Sequence, residues 1–192
     1  MFGRSSDNLV SEDGILKYLT LPGLQVLFLS MSDISGNDLI SFLERSSPPL
    51  RDLTIGEGCR YLDFPLLEQC LRLLTTLTHL EFYGPYVDLV QGLYATLVDS
   101  PSSVFPRLHS LCIPYHNGCI AKSAWVALQR ALSLRRTHFA SVNIIFSADC
   151  SYTPSGLNAE LCAAFGQLAE DGMEIHIGSG TENFISVQPT GE

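Results

Sequence analysis

Six times along 192 residues the chain repeats one short phrase. It runs apolar, two variable positions, apolar, one variable position, apolar. The copies are Leu24-x-x-Leu27-x-Leu29, Leu50-x-x-Leu53-x-Ile55, Leu77-x-x-Leu80-x-Phe82, Leu108-x-x-Leu111-x-Ile113 and, more weakly, Phe139-x-x-Val142-x-Ile144. A degenerate sixth ends at Ile175-x-Ile177, with Gly172 where the first apolar residue belongs. The phrases begin at 24, 50, 77, 108, 139 and 172, so they stand 26, 27, 31, 31 and 33 residues apart. A near-constant period of this size means that each unit cannot bury its apolar face alone and must stack on its neighbours.

Within a unit, the closing apolar-x-apolar alternation predicts a strand. Two residues before each leading apolar residue stand Pro22, Pro48, Thr75, Pro106 and Thr137. Proline there is expected to stop a preceding helix and to favour extended chain, and β-branched Thr acts in the same direction. Between the phrases the spacing is helical. Leu89, Val90, Leu93, Tyr94, Leu97 and Val98 share one face, as do Leu66, Leu67, Cys70, Leu71 and Leu74. Trp125, Leu128 and Leu132 form a third face, and Leu157, Leu161, Ala164, Phe165 and Leu168 a fourth; "DLISFL" is a shorter example. Each unit is therefore one strand, one helix and two loops.

Neighbouring strands lie about 4.8 Å apart, whereas packed helices need roughly 8–10 Å. Stacked units of this kind must bend, with strands inside and helices outside. The predicted fold is an α/β leucine-rich-repeat solenoid: a short horseshoe arc with about six parallel strands on the concave face and helices on the convex face. The repeats occupy 15–185, between a polar N-terminal segment, 1–14, and a C-terminal tail, 186–192. Many such repeats carry Asn or Cys in the turn after the strand. Ser32, Gly58, Pro85 and His116 stand there instead, which predicts a less regular turn and a looser superhelix.

Charge and composition exclude several classes. Hydrophobic residues are 46% and charged residues 16% of the chain, too apolar for a disordered one. A net charge of −9 argues against nucleic acid, which needs a basic patch. The densest basic run, Arg130, Arg135 and Arg136, reads as one solvated helix end. No apolar run approaches the roughly 20 residues that span a bilayer, and the N-terminus lacks the apolar core of a signal peptide. Cys59, Cys70, Cys112, Cys119, Cys150 and Cys162 are scattered, without C-x-x-C pairs, so they are expected to be reduced core thiols of an intracellular protein, cytoplasmic or nuclear. No metal or cofactor is expected. "GEGCRY", Gly56 to Tyr61, lacks the third glycine of a dinucleotide fingerprint and reads as a repeat turn.

On the concave face the positions alternating with the core phrase point to solvent. They are Val26, Phe28 and Ser30; Asp52, Thr54 and Gly56; His79, Glu81 and Tyr83; Ser110, Cys112 and Pro114; Ser141, Asn143 and Ile145; and Glu174, His176 and Gly178. Asp52, His79 and Ser110 fall in one row across neighbouring strands. As a catalytic triad the row would need an oxyanion hole and a deep pocket, and the sequence supplies neither. It reads instead as part of a protein-binding surface made of Phe28, Asp52, Thr54, His79, Glu81, Tyr83, Ser110 and Asn143. Exposed aromatics such as Phe28 and Tyr83 suit interface anchors. Phe28 also lies near the start of the array, where a terminal repeat needs a polar cap or a covering segment.

"LTLPGLQVLFLS", "SFLERSSPPLRDLTI", "CLRLLTTLTHLEFYG", "FPRLHSLCIP" and "LAEDGMEIHIGSGTENFI", in that order, resemble the C-terminal leucine-rich-repeat region of F-box-type proteins from mushroom-forming fungi. The resemblance covers roughly residues 15–185. It implies a target-recognition arm: in that family an F-box docks a ubiquitin-ligase scaffold while the repeats hold a protein target. The residues before 15 are too few and too polar for an F-box, so scaffold docking is expected of a segment outside this chain. Two alternatives stay open, a stand-alone adaptor or truncated relic, and an enzyme built on a doubly wound α/β sheet.

Overall fold

The structure, a computed structural model, describes residues 14–29, 34–56, 64–85, 87–99, 104–115, 120–147 and 156–185. A single 3-10 turn, Ile15–Tyr18, comes first. Strands β1 (Val26–Leu29), β2 (Asp52–Ile55), β3 (His79–Phe82), β4 (Ser110–Tyr115), β5 (Ser141–Phe146) and β6 (Glu174–Gly178) then alternate with five helices. These are α1 (Gly36–Ser46), α2 (Phe64–Leu73), α3 (Val87–Asp99), α4 (Lys122–Leu134) and α5 (Ala159–Glu170). All six strands form one parallel sheet in the order β1-β2-β3-β4-β5-β6. Strand-helix-strand crossovers keep one hand, so an order that never reverses puts every helix on the same face. Each helix accordingly packs on the next, from the 3-10 turn on α1 through to α4 on α5.

The register follows the repeated phrase. Leu27, Leu53, Leu80, Leu111, Val142 and Ile175 stand side by side across the sheet. From Leu53 onward this row is buried, and so is the row Leu29, Ile55, Phe82, Ile113, Ile144 and Ile177. The helices close over these rows with Leu39, Phe42 and Leu43 of α1, Leu67, Cys70 and Leu71 of α2, and Leu93, Tyr94 and Leu97 of α3. In the later units an aromatic group fills the space: Trp125 meets Phe165 edge-on at 6.2 Å, and Tyr115 stacks on Phe146 at 5.8 Å. Among the described residues, side-chain caps start α1 and α5, Ser35 accepting from the Asp38 amide and Asn158 from the Leu161 amide.

The leading apolar residue of each phrase sits just ahead of its strand, in a turn. Leu24 donates its amide to Leu21 O, Leu77 to Leu74 O and Leu108 to Phe105 O. Pro22 and Pro106 therefore occupy the second position of a four-residue turn, where a fixed φ near −65° is wanted. Their role is to bend the chain into the strand, rather than to extend it as the sequence suggested. In the sixth unit Gly172 adopts φ +100° in the turn, and Met173, one residue later, takes the buried place.

Arg135 departs from the sequence reading. Arg130 and Arg136 are exposed, but Arg135 is 4% exposed and donates to Val104 O at 2.9 Å and Phe105 O at 3.4 Å. The reason is its place one step past α4, from which the guanidinium reaches the turn ahead of β4 and pairs carbonyls that a buried loop must satisfy. Arg45, near the end of α1, does the same for Leu16 O and Leu19 O ahead of β1, and Thr76 Oγ1 bonds Leu50 O at 2.7 Å. Among the solvent-facing positions, Gly56 and Gly178 are buried. Ser30, Ser32, Gly58 and His116, the rest of "GEGCRY", and Cys59, Cys119 and Cys150 lie outside the described residues. Of the other cysteines, Cys70 is buried, Cys112 and Cys162 are half-buried, and all three are free thiols.

The register makes a direct prediction about stability. Leu111 is fully buried at the centre of the sheet, so Leu111→Ala should lower unfolding free energy by about 2–5 kcal/mol. Glu174→Ala, at an exposed position of β6, should change it by less than about 0.5 kcal/mol. Urea unfolding of the two variants checks this, and equal midpoints would contradict the assignment of the two faces.

Candidate functional site: the open face of the sheet

With all the described helices on one side, the other side of the sheet carries two rows of side chains. One row is Val26, Asp52, His79, Ser110, Ser141 and Glu174; the other is Phe28, Thr54, Glu81, Cys112, Asn143 and His176. The strands that hold them show strict alternation, half-buried then buried, through all six residues of β4 and of β5. Every residue proposed from sequence for the binding surface lies on this face, or directly after its strand in the case of Tyr83.

The middle strands bring these residues into contact. His79 Nδ1 lies 2.9 Å from Asp52 Oδ1, and Thr78 Oγ1 lies 3.0 Å from the same ring nitrogen. Thr54 donates its hydroxyl to Glu81 Oε2 at 3.4 Å, at the long end of hydrogen bonding. Ser141 donates to Ser110 Oγ at 2.8 Å. Asp52, Thr54, His79, Glu81, Ser110 and Cys112 line an open depression of about 300 Å³ whose floor is Leu53 and Leu80. Larger hollows, about 510 and 430 Å³, lie where α4 and α5 end and between α3 and α4. The depression on the sheet is smaller, yet it gathers ionisable groups from three adjacent strands.

Glu81 sets the electrostatics. Burial pushes the Cys112 thiol up to about 12, and the neighbouring Glu81 carboxylate adds to the rise. The same carboxylate, by its charge and a hydrogen bond, raises the Tyr83 hydroxyl above its ordinary value. Tyr83 is held from both sides, its amide donating to Ile55 O and the following Gly84 amide to Pro114 O, each at 2.9 Å. Cys112 thus stays a neutral thiol that donates to an acid, and Tyr83 stays a neutral phenol doing the same. The sequence placed Cys112 on this face without connecting it to Glu81; the signal was its place next to Glu81 in the shared register.

The Asp52–His79 pair is solvated, with side chains 44% and 60% exposed. Ser110, the third member of the row, accepts a bond from Ser141. Phe28 stands on the outermost strand, beside Thr54, and Asn143 stands beyond Cys112. The site residues thus form a strip across five strands, with a polar centre and an apolar end. Among the described residues no group of three or more His, Cys, Asp and Glu is placed to hold a metal. No described helix is long and apolar enough to cross a membrane.

Glu81 can be tested through the thiol it faces. A cysteine reacts as thiolate, so at pH 8 Cys112, with its thiol pushed up to about 12, should alkylate on the order of 1,000-fold more slowly than an ordinary thiol. Glu81→Gln removes a negative neighbour, which lowers the thiol's pKa, raises the thiolate fraction and speeds alkylation. Burial remains, so the rate should stay below that of the unfolded chain. Peptide-resolved mass spectrometry reads both rates, and an unchanged rate in Glu81→Gln would remove Glu81 from the account.

No family model matches the chain, and comparison with curated proteins finds no match.

Proposed function

We propose that the chain is a leucine-rich-repeat solenoid that recognises a protein target on the open, concave face of its sheet. The observation that carries the reading is the sequential strand order, with one sheet face left without helices among the described residues. A doubly wound sheet binds small ligands in the crevice where its strand order reverses, and here the order runs from β1 to β6 without reversal. What replaces the crevice is a broad strip that offers protein-sized contact. Phe28 and Tyr83 supply aromatic anchors, 65% and 37% exposed; Asp52, His79 and Glu81 supply charge and hydrogen bonds; and Asn143 extends the polar strip. The acidic centre favours a target segment that brings basic or hydrogen-bond-donating side chains.

The resemblance to F-box-type proteins extends this reading to a role as the target-recognition arm of a ubiquitin-ligase receptor, with the scaffold bound through a segment outside this chain. In that role the strip selects the protein to be modified and performs no chemistry itself.

Affinity capture from an extract of a mushroom-forming fungus tests the surface. The wild-type chain should enrich a specific protein, and Glu81→Ala with Tyr83→Ala should weaken its binding at least tenfold, about 1.4 kcal/mol. Undiminished recovery by the double variant would move the binding surface elsewhere. Co-recovery of ubiquitin-ligase scaffold by a longer gene product, and its loss from this chain, separates the ligase role from that of a stand-alone adaptor.

A further inference from the structure

The two edges of the sheet are built differently. Beyond β6 the chain turns back on itself. Asn183 bridges Gly178 in antiparallel fashion, and the Phe184 amide donates to Ile177 O at 2.8 Å. The Asn183 side chain donates to Ile175 O at 3.0 Å and accepts from the Ile177 amide at 3.1 Å. The outward carbonyls of Ile175 and Ile177 and the Ile177 amide are thereby used. The return is tight: a Cβ on Gly178 would lie 1.8 Å from Glu182 O.

At β1 nothing comparable is present among the described residues. The Gln25 and Leu29 carbonyls face β2, and strand alternation sends the N–H and C=O groups of Val26 and Phe28 outward. Exposed edges ordinarily carry charge, proline or a bulge that discourages pairing. β1 is Val-Leu-Phe-Leu, regular and uncharged, with Val26 62% and Phe28 65% exposed. Ile15 and Tyr18 on the adjoining 3-10 turn are 66% and 70% exposed. From residue 14 to residue 29 the one charged side chain is Lys17, so two copies of this acidic chain meet little like-charge repulsion here.

We propose that β1 is a self-association edge, and that two copies join β1 to β1 in one continuous sheet. The sealed β6 edge decides the symmetry. Head-to-tail addition, β1 onto the β6 of another copy, is blocked by residues 179–185, so growth into a filament is prevented. Pairing of like edges across a two-fold axis remains; it is antiparallel and closes at two copies. With Leu27 opposite its own counterpart, Val26 exchanges two hydrogen bonds with Phe28 of the second copy, and the reciprocal pair adds two more. The side chains then form two cross-strand aromatic–β-branched pairs on the open face, a favoured combination. This inference does not depend on the target-binding role. If both hold, Phe28 lies at the centre of a doubled binding face.

Sedimentation equilibrium of the full chain up to about 100 μM tests the dimer at the affinity expected of a short interface. The expected result is a species of twice 21.1 kDa, with amide exchange at Val26 and Phe28 slowing as concentration rises. Phe28→Lys, at an exposed position, should weaken the dimer at least tenfold while leaving the urea midpoint of the monomer unchanged. A monomer throughout, or a dimer indifferent to Phe28→Lys, would overturn the proposal. So would a monomer that dimerises only after removal of residues 1–13, because the chain's own N-terminus would then be the occupant of the edge.

Discussion

The organisation of this protein depends on a column of shared backbone hydrogen bonds at the start of the strands. Gln25 O takes the amides of Arg51 and Asp52, Arg51 O those of Thr78 and His79, Thr78 O those of His109 and Ser110, and His109 O those of Ala140 and Ser141. Ala140 O then takes Glu174 N. Each unit is hung from the last at the same point, so loops of unequal length do not disturb the register. An inserted residue in a helix or loop is absorbed before the next strand begins. A slip of one residue in any strand would instead turn its buried row to solvent, and the apolar rows on the helix side oppose that at every step.

That column also makes the open face a designed surface. Asp52 meets His79 because their strands begin in step, and Glu81 comes to lie between Thr54 and Cys112 for the same reason. Parallel strands place side chains of equal phase in rows, and each row joins residues that are distant in sequence. Glu81 then acts on two groups at once, keeping a thiol and a phenol neutral beside a carboxylate. The result is a strip able to both donate and accept hydrogen bonds at its centre, with aromatic surface beside it.

Stitches between units finish the stacking where turns are irregular. Arg45, Thr76 and Arg135 each reach back to carbonyls in the turn ahead of the preceding strand. They work on the turn that enters the strand, whereas the positions expected to carry a polar ladder follow the strand. A buried Arg is held in place because its hydrogen bonds answer the desolvation that lowers its pKa. The two ends of the array differ more than its units do. One closes on itself through Asn183, and the other has no described strand beyond β1 and presents apolar side chains.

How much of this was legible in the sequence follows from the range of each interaction. The repeated phrase by itself determined the alternation of strand and helix, which residues face the core, and the row that joins Asp52, His79 and Ser110. Those are consequences of period-2 alternation and a common phase, both local properties of the chain. Tertiary structure alone decided that Arg135 is buried while Arg130 and Arg136 are not, that Pro22 and Pro106 serve turns, that Cys112 answers to Glu81, and that β6 is followed by a chain reversal while no described strand lies beyond β1. Each of these turns on where one side chain or one chain reversal ends up relative to a neighbouring unit. A pattern of apolar spacing carries no information about that reach, because it is set by loop path and side-chain length after the units have stacked.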